Sequence, residues 1–88
     1  MRQTFQQAAD EFNARDLYLA SVLNQAGIPI LQIEDSNGRG VFVFQGSNEI
    51  ERLSRDYFNG TLRVDPQGLF AAWKALKSAT YSAIRDVR

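Results

Sequence analysis

Two reactive side chains are missing from this sequence altogether: it contains no cysteine and no histidine. That removes thiolate nucleophiles, imidazole bases, disulfides and ordinary zinc sites, and leaves carboxylates as the ligands for any hard cation. Long apolar runs are also missing, since no stretch approaches the roughly 18 apolar residues that a membrane-spanning helix requires. Residues 1–15 hold Gln, Asp, Asn and Arg and lack the apolar segment of a secretory signal. Net charge is absent too. Ten basic and ten acidic side chains cancel, so no global field draws the chain to nucleic acid or anionic membranes. A soluble protein is expected, and the lack of cysteine fits a reducing cytoplasm.

The motifs of phosphate and calcium chemistry are lacking as well. Asp10-Glu11 and Glu34-Asp35 are the adjacent acidic pairs, and neither has the spacing of a calcium loop. Ser36-Asn37-Gly38-Arg39-Gly40 has two glycines but no Gly-Lys-Ser/Thr ending, so it reads as a hairpin turn and not as a phosphate cradle. No catalytic residue, metal or cofactor is expected, and the chain reads as a non-enzyme.

What is present is a set of strong boundary signals, densest between Asp56 and Pro66. Gly60 follows Tyr57 and Phe58 in the position of a left-handed helix cap, so a helix stops near Asn59. Thr61 to Val64 carries β-branched residues and reads as a short strand. Asp65-Pro66 then restarts a helix, because aspartate accepts bonds from the free first-turn N–H groups and proline gives up a donor that has no partner there. That helix is expected to run to about Tyr81. On a 3.6-residue period Leu69, Trp73, Leu76, Thr80, Ile84 and Val87 form its core stripe, with Ala72 and Ala83 beside it. Phe70, Lys74, Lys77 and Tyr81 form an adjoining flank, read first as aromatics that widen the buried face with lysine stems laid along it, and second as a contact for phosphate or an acidic partner.

Earlier in the chain, Tyr18, Leu19, Val22, Leu23 and Ala26 share a face and Gly27 supplies a stop, which predicts a helix over residues 16–26. Leu17 falls off that face, toward the N-terminal arm or a partner. Residues 28–34 and 41–45 are rich in β-branched and aromatic residues and flank the turn at 35–40, a β-hairpin. Val41 and Val43 face one way and Phe42 and Phe44 the other, so either both faces are covered or one apolar face awaits a partner. Ser47 or Asn48 caps the next helix, whose stripe is Ile50, Leu53 and Tyr57. Glu51 and Arg55 are spaced to pair on its outer face. Residues 1–15 read as an arm, a short helix through Phe5, Ala8, Ala9 and Phe12 or a frayed end. Residues 16–88 form a single domain. The fold class is α+β in two layers, ordered α-β-β-α-β-α, with a possible extra N-terminal helix.

Asp16-Leu17-Tyr18-Leu19-Ala20, Val41-Phe42-Val43-Phe44, Tyr57-Phe58-Asn59-Gly60 with Arg63-Val64-Asp65-Pro66, and Leu76-Lys77-Ser78 with Tyr81-Ser82 occur in this order. Together they resemble a family of short prokaryotic and phage domains defined only as a domain of unknown function, over most of residues 16–82. The resemblance implies a small stand-alone α+β domain, associated with phages or mobile elements, with no activity to transfer. The family pattern includes Asp16, Tyr18, Tyr57, Asn59, Gly60, Lys77 and Tyr81.

Two functional expectations follow. The first is a protein-interaction module that self-associates or docks on a larger protein through Phe42, Phe44, Phe70 and Tyr81, suggested by two-sided apolar strands in a domain that is 11% aromatic. The second is a nucleic-acid-associated role using Arg52, Arg55, Arg63, Lys74 and Lys77. Residues 46–88 hold seven basic residues against five acidic ones, and residues 1–45 hold three against five. Zero net charge favours the first.

Overall fold

The computed structural model describes residues 11–87, with side chains through Ile84. Its elements are β1 (Glu11–Ala14), α1 (Leu17–Gln25), β2 (Ile30–Ser36), β3 (Arg39–Gln45), α2 (Asn48–Asn59) and α3 (Pro66–Val87). The class is α+β: three helices and one antiparallel sheet of three strands in the order β1-β3-β2.

The helix boundaries follow from the capping residues. Asp16 caps α1 by accepting the Tyr18 N–H at 2.8 Å. Ser47 caps α2 by accepting the Ile50 N–H at 3.2 Å, and Gly60 ends that helix at φ 76°. The Asp65 carboxylate accepts the Gly68 N–H at 2.7 Å and Pro66 opens α3, which continues past Tyr81 to Val87. In the hairpin, Asn37 at φ 55° and Gly38 at φ 84° form a two-residue turn of the mirror-image type, whose twist matches that of the flanking strands. Asp35 secures it by accepting the Gly38 N–H at 2.7 Å.

Strand β2 solves a spacing problem. Ile30 and Ile33 are three residues apart, which in a regular strand sends them to opposite faces. A bulge between Ile30 and Gln32 absorbs one residue, so Ile30 pairs with Phe44 and Ile33 with Phe42 on the same face, and Leu31 is left exposed.

β3 is the middle strand, and this corrects the expectation that Phe42 and Phe44 present an apolar face to a partner. Both rings are in the core, 2% and 0% exposed. Leu19, Ala20 and Leu23 of α1, Ile50 and Leu53 of α2, and Leu76 of α3 belong to the same buried cluster. On the other face Val41 and Val43 are also buried, and the residues beside them in register are polar: Asn13 of β1, and Gln32 and Glu34 of β2, which hydrogen-bond to each other. A small β-branched side chain between longer polar neighbours needs no second helical layer to leave water.

What makes β3 central is the segment read as an arm. Glu11–Ala14 is a strand, not part of a helix, and it pairs Phe12 with Phe44 and Ala14 with Phe42. Phe12 packs against the core. The rest of the N-terminal helix expectation, including Phe5, Ala8 and Ala9, lies outside the described residues. Conversely, residues 61–65 belong to no strand. Local β propensity without a sheet edge to pair with yields only an extended connection, in which Leu62 packs against the core and the Thr61 N–H caps Asp56 O. The third strand therefore precedes α1 and does not follow α2.

α3 packs mainly on α1 and touches both β2 and β3. Among its described side chains Leu76 alone is fully buried; Leu69, Ala72, Trp73, Thr80, Ala83 and Ile84 of the expected core stripe are half-buried. No described helix is long and apolar enough to cross a membrane.

Candidate functional surfaces of the closing helix

The α1–α3 contact carries a layered aromatic arrangement. Tyr18 and Trp73 stack with ring centroids 6.4 Å apart and planes 8° from parallel, and the Lys77 ammonium lies 4.8 Å from the Trp73 ring centroid. Tyr18, expected on the buried face of α1, is instead 63% exposed. Leu17 takes its place against the core, because the face of α1 that meets the sheet is rotated toward Leu17, Leu19, Ala20 and Leu23. Farther along α3, Phe70 is 63% and Tyr81 62% exposed. Lys74 is exposed between them. The flank expected from helical spacing is thus on the surface.

A cavity of about 330 Å³ opens between the hairpin tip, the β1–α1 connection and the later turns of α3. Its apolar lining is Leu17, Phe42 and Ile84. Arg15, Arg39 and Lys77 supply the charged lining, with Thr80 and Tyr81 from α3, and no carboxylate lines it among the described residues. The hairpin closes onto α3 through Gly40: a Cβ there would meet Thr80 Cγ2 at 2.7 Å, so only glycine allows this approach without displacement. Sequence reasoning singled out Lys77 and Tyr81 but missed Arg15 and Arg39. These two lie in a connection and beside a turn, where no periodicity groups them with α3.

The other expected basic residues are not in this cavity. Arg52 and Arg55 are exposed on α2, Arg63 is exposed in the α2–α3 connection and Lys74 is exposed on α3. Among the described residues the ion pair formed is Arg52–Asp56 at 3.8 Å, in place of the expected Glu51–Arg55. With the cation N-terminal to the anion and both partners partly in water, it contributes at most a few tenths of a kcal/mol. A smaller cavity of about 200 Å³ is lined by Glu11 and Glu51 beside the start of α2. No third acidic residue joins them in a cluster fit to hold a metal among the described residues.

One polar contact ties two helices together. The Tyr57 hydroxyl of α2 donates to Asp16 Oδ2 at 2.9 Å, so the cap of α1 also anchors α2. Burial, and then the neighbouring Asp16 carboxylate that accepts the proton's hydrogen bond, push the Tyr57 hydroxyl up from 10.0 to about 12. Because the folded value is the higher one, the contribution of the neutral hydroxyl to stability is fully present below pH 10 and is lost as pH rises from there through about 12. Urea midpoints of the wild type are expected to fall more steeply over that window than those of Tyr57→Phe. Parallel curves for the two proteins contradict the assignment.

The fold and these surfaces define a small α+β domain whose solvent-facing aromatics and cation-lined cavity both depend on one long helix. The chain belongs to the family described as Domain of unknown function (DUF5659), which matches residues 9–82 and so takes in every strand and the greater part of α3. No curated protein and no solved structure matches it.

Proposed function

We propose that the chain is a small, non-catalytic protein-interaction module that self-associates through the exposed side of α3. The observation that carries this reading is the incomplete covering of that helix. Its 22 residues span about 33 Å at 1.5 Å per residue, yet its apolar stripe is only half-buried and Phe70 and Tyr81 face water. The surplus apolar surface is therefore on α3 and not on β3. A helix face of this kind is self-complementary in a two-fold arrangement, where each copy's aromatics cover the other's stripe. Zero net charge gives two copies little mutual repulsion. The lack of histidine and cysteine supports a non-catalytic role, and the lack of cysteine a cytoplasmic setting.

Sedimentation velocity of the full chain across micromolar concentrations tests this. A concentration-dependent dimer is expected, with Phe70→Glu weakening it by about tenfold or more, since a charge replaces a ring at the centre of the contact. A wild-type protein that remains monomeric throughout overturns the proposal.

A further inference from the structure

The cavity between the hairpin tip and α3 shares Tyr81 with the proposed self-association face, but its arginines and its apolar side are not part of that face. Arg15, Arg39 and Lys77 line it from three separate places in a chain whose total charge is zero. Among the described residues no carboxylate lines the cavity, and the ion pair formed involves none of these three. An anion with two or more charges offsets like charge gathered along one concavity and accepts hydrogen bonds from it. Arginine forks match the paired oxygens of a phosphate; the Lys77 ammonium lies over the Trp73 ring, which is not in the lining, and turns from it on its flexible stem to join the same anion.

The apolar part of the cavity narrows the choice further. Leu17, Phe42 and Ile84 form one side, and the exposed Tyr81 ring stands at its margin. Bare phosphate satisfies the cations and leaves that side unused. A flat ring attached to the phosphate fills it and stacks on Tyr81. The volume, about 330 Å³, lies at the small end of the range that small-molecule sites occupy, about 300–1,000 Å³. We infer that this cavity binds a single nucleotide, its phosphate held by Arg15, Arg39 and Lys77 and its base laid against Tyr81 and the apolar side. The nucleotide is either free or one residue of a single strand; the chemistry of the site is the same for both.

Titration of the isotope-labelled full chain, followed by amide NMR, uses four probes: adenosine monophosphate, adenosine, inorganic phosphate and a short single-stranded oligothymidylate. A nucleotide probe, whether the monophosphate or the oligonucleotide, is expected to shift the amides of Arg39, Gly40 and Tyr81 and to bind at least about tenfold more tightly than adenosine or phosphate. Arg15→Gln and Arg39→Gln are each expected to weaken it about tenfold, and added salt to weaken it further. Both arginines are exposed, so neither substitution disturbs the core. Tighter binding of the oligonucleotide through the same amides identifies a strand residue as the ligand, and tighter binding of the monophosphate a free nucleotide. The inference is overturned if none of the probes binds at millimolar concentration, if phosphate alone binds as tightly as the better nucleotide probe, or if both arginine variants bind like the wild type. Phe70 does not line the cavity, so Phe70→Glu, which weakens self-association, is expected to keep nucleotide binding; because Tyr81 belongs to both surfaces, binding is compared at concentrations where the chain is monomeric, and the two proposals then fail separately.

Discussion

Phe44→Ala is expected to destabilise the fold by about 3–5 kcal/mol, the range for truncating a buried phenylalanine. Its ring is fully buried in the middle strand, where β1 and β2 place Phe12 and Ile30 beside it and the helices cover it from one side. Truncation there loses the transfer free energy of the ring and leaves a hole that three helices and a sheet cannot close by a local shift. A domain of this size has a total stability of roughly 5–10 kcal/mol, so the variant should be close to unfolded at 37 °C. Phe70→Ala, which removes an equal ring from the surface of α3, is expected to change stability by no more than about 0.5 kcal/mol. Urea denaturation followed by circular dichroism distinguishes the two. A loss below about 1 kcal/mol for Phe44→Ala would show that its ring is not part of the core.

The contrast between those two phenylalanines marks what a sequence can and cannot convey. Residue chemistry that acts within a few positions was legible: the Ser47 and Asp65 caps, the Gly60 stop, and the turn at Asn37-Gly38 form where local rules put them, while Asp16, read as the first residue of its helix, is the cap before it. Helical spacing grouped Phe70 and Tyr81 with Lys74 and Lys77, but the reading that the two rings widen the buried face is overturned by their exposure. The fate of Phe42 and Phe44 was not, because it is decided by Glu11–Ala14, some thirty residues away. That segment does alternate, Glu11 and Asn13 polar against Phe12 and Ala14 apolar, but four residues are too few to outweigh the helical spacing of the phenylalanines and alanines around them, and its pairing with β3 is a long-range event. Thr61 to Val64 had the stronger intrinsic β propensity and no edge to join, so tertiary pairing overrode propensity in both places. The bulge at Leu31 is a further case. Two isoleucines three apart read as poor alternation until one extra residue is taken out of register.

The cavity was legible only in part, for a related reason. Lys77 and Tyr81 stand on a regular helix, where spacing places them together. Arg15 and Arg39 come from a connection and a strand end, and their meeting depends on the approach of the hairpin to α3 at Gly40. The count of basic residues pointed to the C-terminal half, yet two of the three cations in the cavity come from the N-terminal half. Charge tallies along a chain describe segments, and a binding site is built across them.

Asp16→Ala is expected to cost about 2–3 kcal/mol, because one carboxylate performs two tasks. It accepts the Tyr18 N–H at 2.8 Å as the cap of α1, and loss of such a cap costs about 1 kcal/mol. It also accepts the Tyr57 hydroxyl at 2.9 Å; a hydrogen bond to a charged group contributes about 1.5–3 kcal/mol, toward the lower figure where water partly reaches it. The two contributions separate by choice of substitution. Asp16→Ser keeps a capping oxygen but is too short to reach Tyr57, whereas Asp16→Asn keeps one acceptor for the cap and puts an NH2 donor where Oδ2 stood, so the Tyr57 hydroxyl must turn to accept from it and the charge is lost. The expected order of stability is wild type, Asn, Ser, Ala. A double-mutant cycle of Asp16→Ala with Tyr57→Phe should give a coupling of about 1 kcal/mol, since these residues join α1 to α2 across 41 positions of sequence. Additive losses would mean that the carboxylate serves α1 alone. The titration of Tyr57 gives an independent reading of the same contact: with Asn at position 16 its hydroxyl should ionise at lower pH, leaving burial as the remaining cause of its raised value.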